Sequence, residues 1–166
     1  MRHDNGFSGH AAELRVPHWI DGDGQPAPAL KLADLGDGFK VLYLFQAWCP
    51  GCHSHGFPTL KRLVDALTPL GFGFAAIQTV FEGAQTNTPQ RLREMQLRYG
   101  LRIPFGHDPA SEHGRPTVMA DYGTRGTPWF IVVDPMGEVV HSDFELDADR
   151  LLQAFGASEA PLPSAA

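Results

Sequence analysis

Uninterrupted apolar runs of strand length alternate along this chain with stretches in which apolar residues recur at helical spacing. Residues 41–45 and 130–133 are continuous apolar runs, which are typical of strands buried on both faces of a sheet. Residues 72–80 form a third candidate strand. The residues at helical spacing between the first and third strands are Phe57, Leu60, Leu63, Val64 and Leu67. This helix would supply the crossover that a parallel pair needs, so the pattern predicts a β-α-β unit.

Turn and cap residues predict further elements on both sides of this unit. Residues 14–20 alternate in polarity and lead into an Asp-Gly turn, which predicts an N-terminal β-hairpin. Its Pro17 favours an edge position in the sheet. Thr88 and Pro89 are typical of an N-cap followed by the first helical residue, and Gly100 is typical of the end of that helix.

The last part of the folded chain shows another turn signal and one more helical pattern. Residues 134–137 form a turn between two apolar runs, so the last two strands are expected to pair as an antiparallel hairpin. Residues 147–155, followed by Gly156, predict a final helix. The order of these elements predicts an α/β fold with a central mixed β-sheet flanked by helices on both faces.

The length and composition fit a single folded domain. With 166 residues, of which 43% are hydrophobic, the chain can bury a core without a second domain. We assign residues 14–156 to this domain. Residues 1–13 are polar and Gly-rich, and residues 157–166 are small and Pro-rich, so both ends are expected to be flexible.

The charge balance narrows the range of partners. The chain has 13 Lys and Arg against 19 Asp and Glu, which gives a formal net charge of -6. This acidity argues against nucleic acid and anionic membranes as partners. No run is long enough to span a membrane, and the polar start of the sequence lacks the apolar segment of a secretion signal. We therefore expect a cytoplasmic protein, and we also expect it to be a monomer.

The two cysteines of the chain, Cys49 and Cys52, lie between the first predicted strand and the crossover helix. A C-x-x-C pair at such a junction is typical of a redox site, because the spacing lets the two sulfurs bond to each other. A structural disulfide is a poorer explanation, since it would close a very short loop. A reducing compartment would keep both residues as thiols at rest, which favours a catalytic pair.

Two segments resemble the signature of the thioredoxin-like superfamily. Residues 45–52 read Phe-Gln-Ala-Trp-Cys-Pro-Gly-Cys, and residues 126–134 contain Gly-Thr-Pro-Trp at the start of an apolar strand. Within that superfamily, the chain looks like the TlpA/ResA branch of thiol-disulfide oxidoreductases, also called redoxins. The resemblance implies a thioredoxin-like fold with an N-terminal β-hairpin and a central insertion.

The same resemblance implies roles for residues in both segments. Cys49 is expected to be the nucleophile, Cys52 the resolving cysteine, and Pro128 a cis-proline beside them. The start of a helix, with its unpaired amide groups and its dipole, would favour the thiolate of Cys49. The backbone of Thr127 is expected to pair with an extended substrate. The expected substrate-binding residues are Trp48, Pro50, Gly51, Thr127, Pro128 and Trp129. Both tryptophans would form aromatic walls of the substrate groove, and the alternative for them is ordinary packing in the core.

One position departs from the family pattern. Many thioredoxins have a buried acidic residue six positions before the first cysteine, where this chain has Tyr43. Glu82, after the third predicted strand, is the best substitute, since the TlpA/ResA branch carries an acidic residue near its cysteine pair. A partly buried Glu82 carboxylate would relay the proton of Cys52 as a catalytic group. The alternative is a solvated loop carboxylate.

These features together predict an enzyme, a thiol-disulfide oxidoreductase that reduces or exchanges protein disulfides. Its partners would be a protein or small-molecule disulfide substrate and an upstream thiol reductant. Its broader role would be cell redox homeostasis, as a reductase rather than an oxidant. The redox group would be the Cys49-Cys52 disulfide itself. We expect no separate cofactor and no metal.

Four alternatives remain open at this point. A cysteine-dependent peroxidase shares the fold, although Gln46 occupies the position where that family has Thr. A redox-sensing domain would change its partner binding with its disulfide state, without turnover. Cys49 to His53 also fits the motif for attachment of c-type haem, with His53 as an axial ligand. Zinc could bind to Cys49, Cys52, His53 and His55, but both histidines are expected to face solvent.

Overall fold

A computed structural model describes residues 9–111 and 114–157, and a mixed eight-stranded β-sheet forms the centre of this part of the chain. The strands are β1 (Gly9–His10), β2 (His18–Ile20), β3 (Pro26–Ala27), β4 (Lys40–Phe45), β5 (Gly73–Val80), β6 (Phe105–Pro109), β7 (Trp129–Val133) and β8 (Glu138–Asp143). Their order across the sheet is β1-β8-β7-β4-β5-β6-β2-β3. The helices are α1 (Phe57–Leu67), α2 (Arg91–Tyr99), α3 (Thr117–Tyr122) and α4 (Ala148–Ala154). A π-helical turn (Cys52–Gly56) precedes α1, and short 3-10 helices cover Leu32–Leu35 and Thr68–Leu70.

The β-α-β unit that the sequence predicts is confirmed. β4 and β5 pair in parallel, and α1 connects them. β6 extends the parallel array beside β5, whereas β7 is antiparallel to both β4 and β8. Because parallel strands end at the same edge of a sheet, the segments that follow β4, β5 and β6 come together there. We call this the carboxyl edge of the sheet.

Apolar clusters bury the sheet on both faces. Every residue of β4 is buried, and alternate side chains of the strand point to opposite faces. Val41, Tyr43 and Phe45 belong to the cluster that includes residues of α1, α2 and α4. Leu42 and Leu44 belong to the cluster that includes residues of α3. Helices therefore cover both faces, as predicted. None of the helices within residues 9–111 and 114–157 has the length and apolar character needed to cross a membrane.

Parts of both predicted flexible ends belong to the fold. β1 pairs with β8, and Ala11, directly after β1, is buried. The expectation that residues 1–13 are flexible is therefore wrong for the last part of that segment, which supplies an edge strand. Ala157 packs against the core at the other end. The rest of the two predicted ends, residues 1–8 and 158–166, lies outside the described residues.

Element boundaries differ from the predicted ones in two places. The N-terminal hairpin consists of β2 and β3, but β2 lies between β6 and β3, so Pro17 precedes an inner strand. α2 begins at Arg91 rather than after Thr88, because the Arg91 N–H donates to the Thr88 carbonyl in a turn before the helix. The helix ends at Gly100 as predicted, where a φ of 62° favours glycine.

Gly56 lets the π-helical turn lie directly against β4 and against the segment before β7. A Cβ atom at Gly56 would lie 2.2 Å from the Tyr43 hydroxyl oxygen and 2.9 Å from Pro128 Cβ. The Tyr43 hydroxyl donates a hydrogen bond of 3.2 Å to the Cys52 carbonyl, which also accepts the N–H of Phe57. These contacts give the turn a fixed place on the sheet.

We expect Gly56→Ala to lower the free energy of unfolding by about 1–3 kcal/mol, because the new methyl group forces Tyr43 or Pro128 to move in a packed core. Urea denaturation measures the loss. Tyr43→Phe removes the oxygen nearest to the new methyl group, so Gly56→Ala should cost less when Tyr43→Phe is already present. An unfolding free energy that does not change in Gly56→Ala would show that the turn moves away without cost.

Candidate active site

Cys49 occupies the N-cap position of the helix that follows β4. A turn closed by the hydrogen bond from the Cys49 N–H to the Gln46 carbonyl (3.1 Å) leads into this position. Helical backbone begins at Pro50, where the missing N–H of proline leaves no hydrogen bond unmade. The Cys52 N–H donates to Cys49 Sγ over 3.3 Å. The sulfur therefore takes the place of a capping oxygen and faces the positive end of the helix dipole.

Cys52 is the more deeply buried of the two thiols. Its surface is completely covered, whereas Cys49 remains 7% exposed. Burial, with a further contribution from the hydrogen bond to Cys49, raises the pKa of Cys52 to about 12. Both residues are free cysteines in the structure. The pair thus combines a sulfur close to the surface with a thiol that keeps its proton in the core.

The loop before β7 lies against the cysteine motif. The Thr127–Pro128 peptide bond is cis, the form expected from the resemblance. The Thr127 carbonyl accepts a hydrogen bond of 3.6 Å from Cys49 Sγ. Gly51 faces the same loop, since a Cβ atom there would lie 3.4 Å from Pro128 Cδ. Thr127 and Pro128 are half-buried, so this loop is partly accessible beside the sulfur.

Of the two tryptophans next to these motifs, one lies at the surface and the other in the core. Trp48 is 44% exposed, as expected of a wall of the groove. Trp129 is completely buried, donates from Nε1 to Ser142 Oγ over 3.0 Å, and packs edge-to-face on Phe144. The prediction that Trp129 lines the groove is wrong, because its position at the start of β7 directs the indole into the cluster on the α3 face.

Glu82 does not have the partly buried position that the proton-relay hypothesis requires. It follows β5 in a loop, and it is exposed. Its backbone carbonyl is held, since Asn87 Nδ2 donates to it over 3.2 Å. The expectation of a partly buried carboxylate is therefore wrong. Tyr43, at the family's acidic position, supplies no charge either, because burial raises the pKa of its hydroxyl well above the usual range.

His53 is held at both ring nitrogens, although the sequence predicts that it faces solvent. Nδ1 pairs with the Tyr99 hydroxyl, and Nε2 pairs with the Ala47 carbonyl. The ring stacks on Tyr99 and on Phe57. The prediction for His53 is wrong, whereas His55 is exposed as expected. These partners occupy the nitrogens that haem or zinc would need, and no group of three or more His, Cys, Asp or Glu in the described chain is placed to hold a metal.

Asn87 is a site residue that the sequence does not reveal. It is 1% exposed and joins the loop after β5 to the cysteine motif. Its Nδ2 donates to the carbonyls of Glu82 and Gly83 and, over 3.4 Å, to the Gln46 side chain. Its Oδ1 accepts the Trp48 N–H over 3.3 Å. An asparagine in a polar segment carries no distinguishing signal, so the fold is needed to identify it.

Solved structures of other proteins share this architecture. A thioredoxin-like superfamily protein is 31% identical, with a TM-score of 0.77, over 89% of this chain and 93% of that one. A thiol-disulfide isomerase from Corynebacterium glutamicum is 27% identical, with a TM-score of 0.75, over 88% and 93% of the two chains. A thio-disulfide isomerase from Thermus thermophilus is 26% identical, with a TM-score of 0.61, over 91% and 97%.

The similarity to the first of these proteins extends over nearly its whole length, and it shows the family. This chain belongs to the thioredoxin-like superfamily. The resemblance carried by the two sequence motifs and the predicted fold class are both confirmed. No protein-family model and no curated protein matches the chain.

The raised pKa of Cys52 predicts a loss of stability in alkaline solution. In the folded, reduced protein this thiol keeps its proton up to about pH 12, whereas in the unfolded chain it loses the proton near its ordinary pKa of 9.0. Between these values the unfolded state binds fewer protons than the folded state. The stabilisation is therefore complete below pH 9.0 and declines above it, by about 1.4 kcal/mol per pH unit for this one group.

Urea denaturation of the reduced protein between about pH 8 and about pH 11 measures this decline. The wild type should lose stability more steeply than Cys52→Ala, which retains the other titrating groups. Cys49→Ala is the matched control and should keep most of the steep slope, because burial, the main cause of the raised pKa of Cys52, remains. Equal slopes for the wild type and Cys52→Ala would contradict the burial of this thiol.

Proposed function

We propose that this protein is a thiol-disulfide oxidoreductase that uses Cys49 and Cys52 to reduce or exchange disulfides in proteins. The observation that carries the proposal is the position of Cys49 Sγ, 3.3 Å from the Cys52 N–H and 3.6 Å from the Thr127 carbonyl. A sulfur at the start of a helix is favoured as the thiolate that nucleophilic attack requires. The two neighbours named as isomerases support the same class of reaction.

The reaction begins at Cys49. Its thiolate attacks one sulfur of the substrate disulfide, the S–S bond of the substrate breaks, and the other substrate sulfur leaves as a thiolate and takes up a proton from water. Cys49 and the substrate are then joined by a mixed disulfide. The N–H of Cys52 stabilises the attacking thiolate, because a hydrogen bond to a charged acceptor is stronger than one to a neutral acceptor.

Cys52 completes the reaction. Its sulfur attacks Cys49 Sγ, the mixed disulfide breaks, and the second substrate sulfur leaves. Because the thiolate is the nucleophile, Cys52 gives up its proton to solvent as it attacks, and the leaving sulfur takes up a proton from solvent, so the step involves no net gain or loss of protons. The substrate gains two electrons, and the protein ends with a Cys49–Cys52 disulfide. An external thiol reductant then restores the dithiol.

The proposed substrate surface surrounds Cys49. Exposed Trp48 forms one wall, and the partly accessible loop of Thr127 and Pro128 lies on the other side of the sulfur. An extended substrate segment would pair with the backbone of Thr127, as in other cases of strand addition. The proposed substrate-binding residues are Trp48, Pro50, Gly51, Thr127 and Pro128.

We assign the protein to the TlpA/ResA type within the superfamily. The N-terminal hairpin expected for this branch is present as β2 and β3, and it pairs with β6. We infer that the protein acts as a reductase. The equilibrium of the cysteine pair with glutathione measures the reduction potential, and a strongly oxidising value would reverse this assignment of direction.

Reduction of insulin by dithiothreitol tests the main proposal. The wild type should accelerate precipitation of the insulin chains through many turnovers per molecule. Cys49→Ser should fall to the uncatalysed rate, because a hydroxyl forms no mixed disulfide. Reduced Cys52→Ser, mixed with insulin after dithiothreitol is removed, should instead accumulate as a mixed disulfide with the substrate, which mass spectrometry detects.

His55→Ala is the matched control, because His55 is exposed on the same turn, and it should react at the wild-type rate. A wild type no faster than Cys49→Ser would overturn the proposal. Cysteine oxidation without turnover would then support the redox sensor, and rapid consumption of hydrogen peroxide through Cys49 would support the peroxidase.

A further inference from the structure

The peptide unit between Ala47 and Trp48 is hydrogen-bonded from both sides. Its carbonyl pairs with His53 Nε2, and its N–H donates to Asn87 Oδ1 over 3.3 Å. This peptide lies one residue before Cys49, in the turn after β4. Two side chains that are separated in the sequence therefore meet on one peptide of the redox loop.

The partners of His53 fix its ring as a hydrogen-bond donor to this peptide. A carbonyl oxygen only accepts, so Nε2 carries the hydrogen. In the neutral imidazole, Nδ1 then accepts the hydroxyl hydrogen of Tyr99. Burial raises the pKa of Tyr99, against the opposing effect of the Arg98 charge, so the hydroxyl keeps its hydrogen. The Tyr99 ring is itself stacked on Phe57, with 4.2 Å between centroids and an interplanar angle of 6°.

Asn87 holds the opposite side of the peptide with its whole amide group. Nδ2 donates to the carbonyls of Glu82 and Gly83 over 3.2 and 3.1 Å, which anchors the side chain to the loop after β5. Oδ1 is thereby directed to the Trp48 N–H. A buried amide with these partners cannot rotate without leaving polar groups unpaired. The peptide is therefore held between the π-helical turn and the loop after β5.

We propose that His53 and Asn87 are positioning residues that clamp the Ala47–Trp48 peptide and thereby hold Cys49 Sγ where it accepts the Cys52 N–H. An N-cap contact depends on the backbone that leads into the cap, and this peptide is that backbone. The contact is strongest with the thiolate, which is a form of the reduced protein, so the clamp favours the reactive, reduced state. The inference deepens the proposed function and rests on it for its effect on turnover.

Two substitutions of His53 separate the effect of its N–H donor from the effect of its stacked ring. His53→Phe keeps a ring that can stack on Tyr99 and Phe57 but removes the N–H, whereas His53→Gln places an amide N–H near the position of Nε2. His55→Gln is the matched control. The measurements are the alkylation rate of Cys49 by iodoacetamide at neutral pH and the dithiol-disulfide equilibrium with glutathione.

We expect His53→Phe to alkylate about threefold to tenfold more slowly, the effect of losing one hydrogen bond. Its glutathione equilibrium should shift toward the disulfide by a similar factor. His53→Gln and His55→Gln should both stay close to the wild type. A loss of stability that affected both redox forms equally would lower Tm without moving this equilibrium, so the equilibrium distinguishes positioning from a merely structural role.

Asn87→Ala tests the other side of the clamp and should slow alkylation by a similar factor. The variant with both His53→Phe and Asn87→Ala should be no slower than the slower single variant, because both residues act on one peptide. If the two reductions in alkylation rate multiply in the double variant, the two residues act independently and the shared clamp is overturned. Asn87→Ala also provides an independent test if His53→Phe does not fold.

Wild-type values in His53→Phe, or a His53→Gln as slow as His53→Phe, would also overturn the inference. Alkylation needs no disulfide substrate and therefore separates the two proposals. Slow alkylation of His53→Phe, together with a wild type that fails to reduce insulin, would support the clamp and reject the exchange function. An active wild type with variants that behave like it would reject the clamp alone.

Discussion

The site depends on how the first turn of the helix after β4 is fixed against the carboxyl edge of the sheet. The sheet itself is buried on both faces. β4 cannot shift, because its side chains are packed in both clusters. Tyr43 belongs to β4, and its hydroxyl donates to the Cys52 carbonyl. Because Gly56 has no side chain, the turn can approach Tyr43 and Pro128 closely. The direction of the helix and the place of its first turn follow from these contacts.

This seating gives the two sulfurs different environments. Cys49 caps the helix beside a partly accessible loop, whereas Cys52 lies one turn further along and is completely buried. Burial keeps Cys52 protonated in the reduced protein, so Cys49 is the sulfur that attacks the substrate first. Tyr43 suits this arrangement because a hydroxyl satisfies the Cys52 carbonyl without bringing a charge into the core, where an unpaired carboxylate would be costly.

The central strands and the cysteine motif could be predicted because their signals are local, whereas the errors arise where distant residues decide. Trp129 follows Pro128 in the sequence, which suggests a groove, but alternation along β7 places it on the face opposite Phe130. β6 carries no apolar run, since His107 and Asp108 interrupt it. Their burial depends on partners elsewhere in the chain: Gln78 Nε2 lies 3.0 Å from His107 Nδ1, and Asp108 accepts from the segment that begins α3.

Buried polar side chains at the carboxyl edge explain how the loops around the site stay in place. Loop backbone that leaves a sheet loses its ladder partners, and unpaired N–H and C=O groups are costly when buried. Gln78 donates to the Thr88 carbonyl over 2.9 Å, and Asn87 donates to two carbonyls of the loop after β5. Asp108 accepts the N–H of Val118 at the start of α3 over 2.9 Å.

Apolar residues at these positions would fill the same space but would leave the loop backbone unpaired. The polar side chains at this edge therefore pair with the backbone groups of the loops, as neighbouring strands pair with each other inside the sheet. His53 and Asn87 pair in the same way with the Ala47–Trp48 peptide, which ends at the residue before Cys49. The redox loop is thus held by side chains outside the C-x-x-C motif, and the local sequence of the motif specifies only part of its structure.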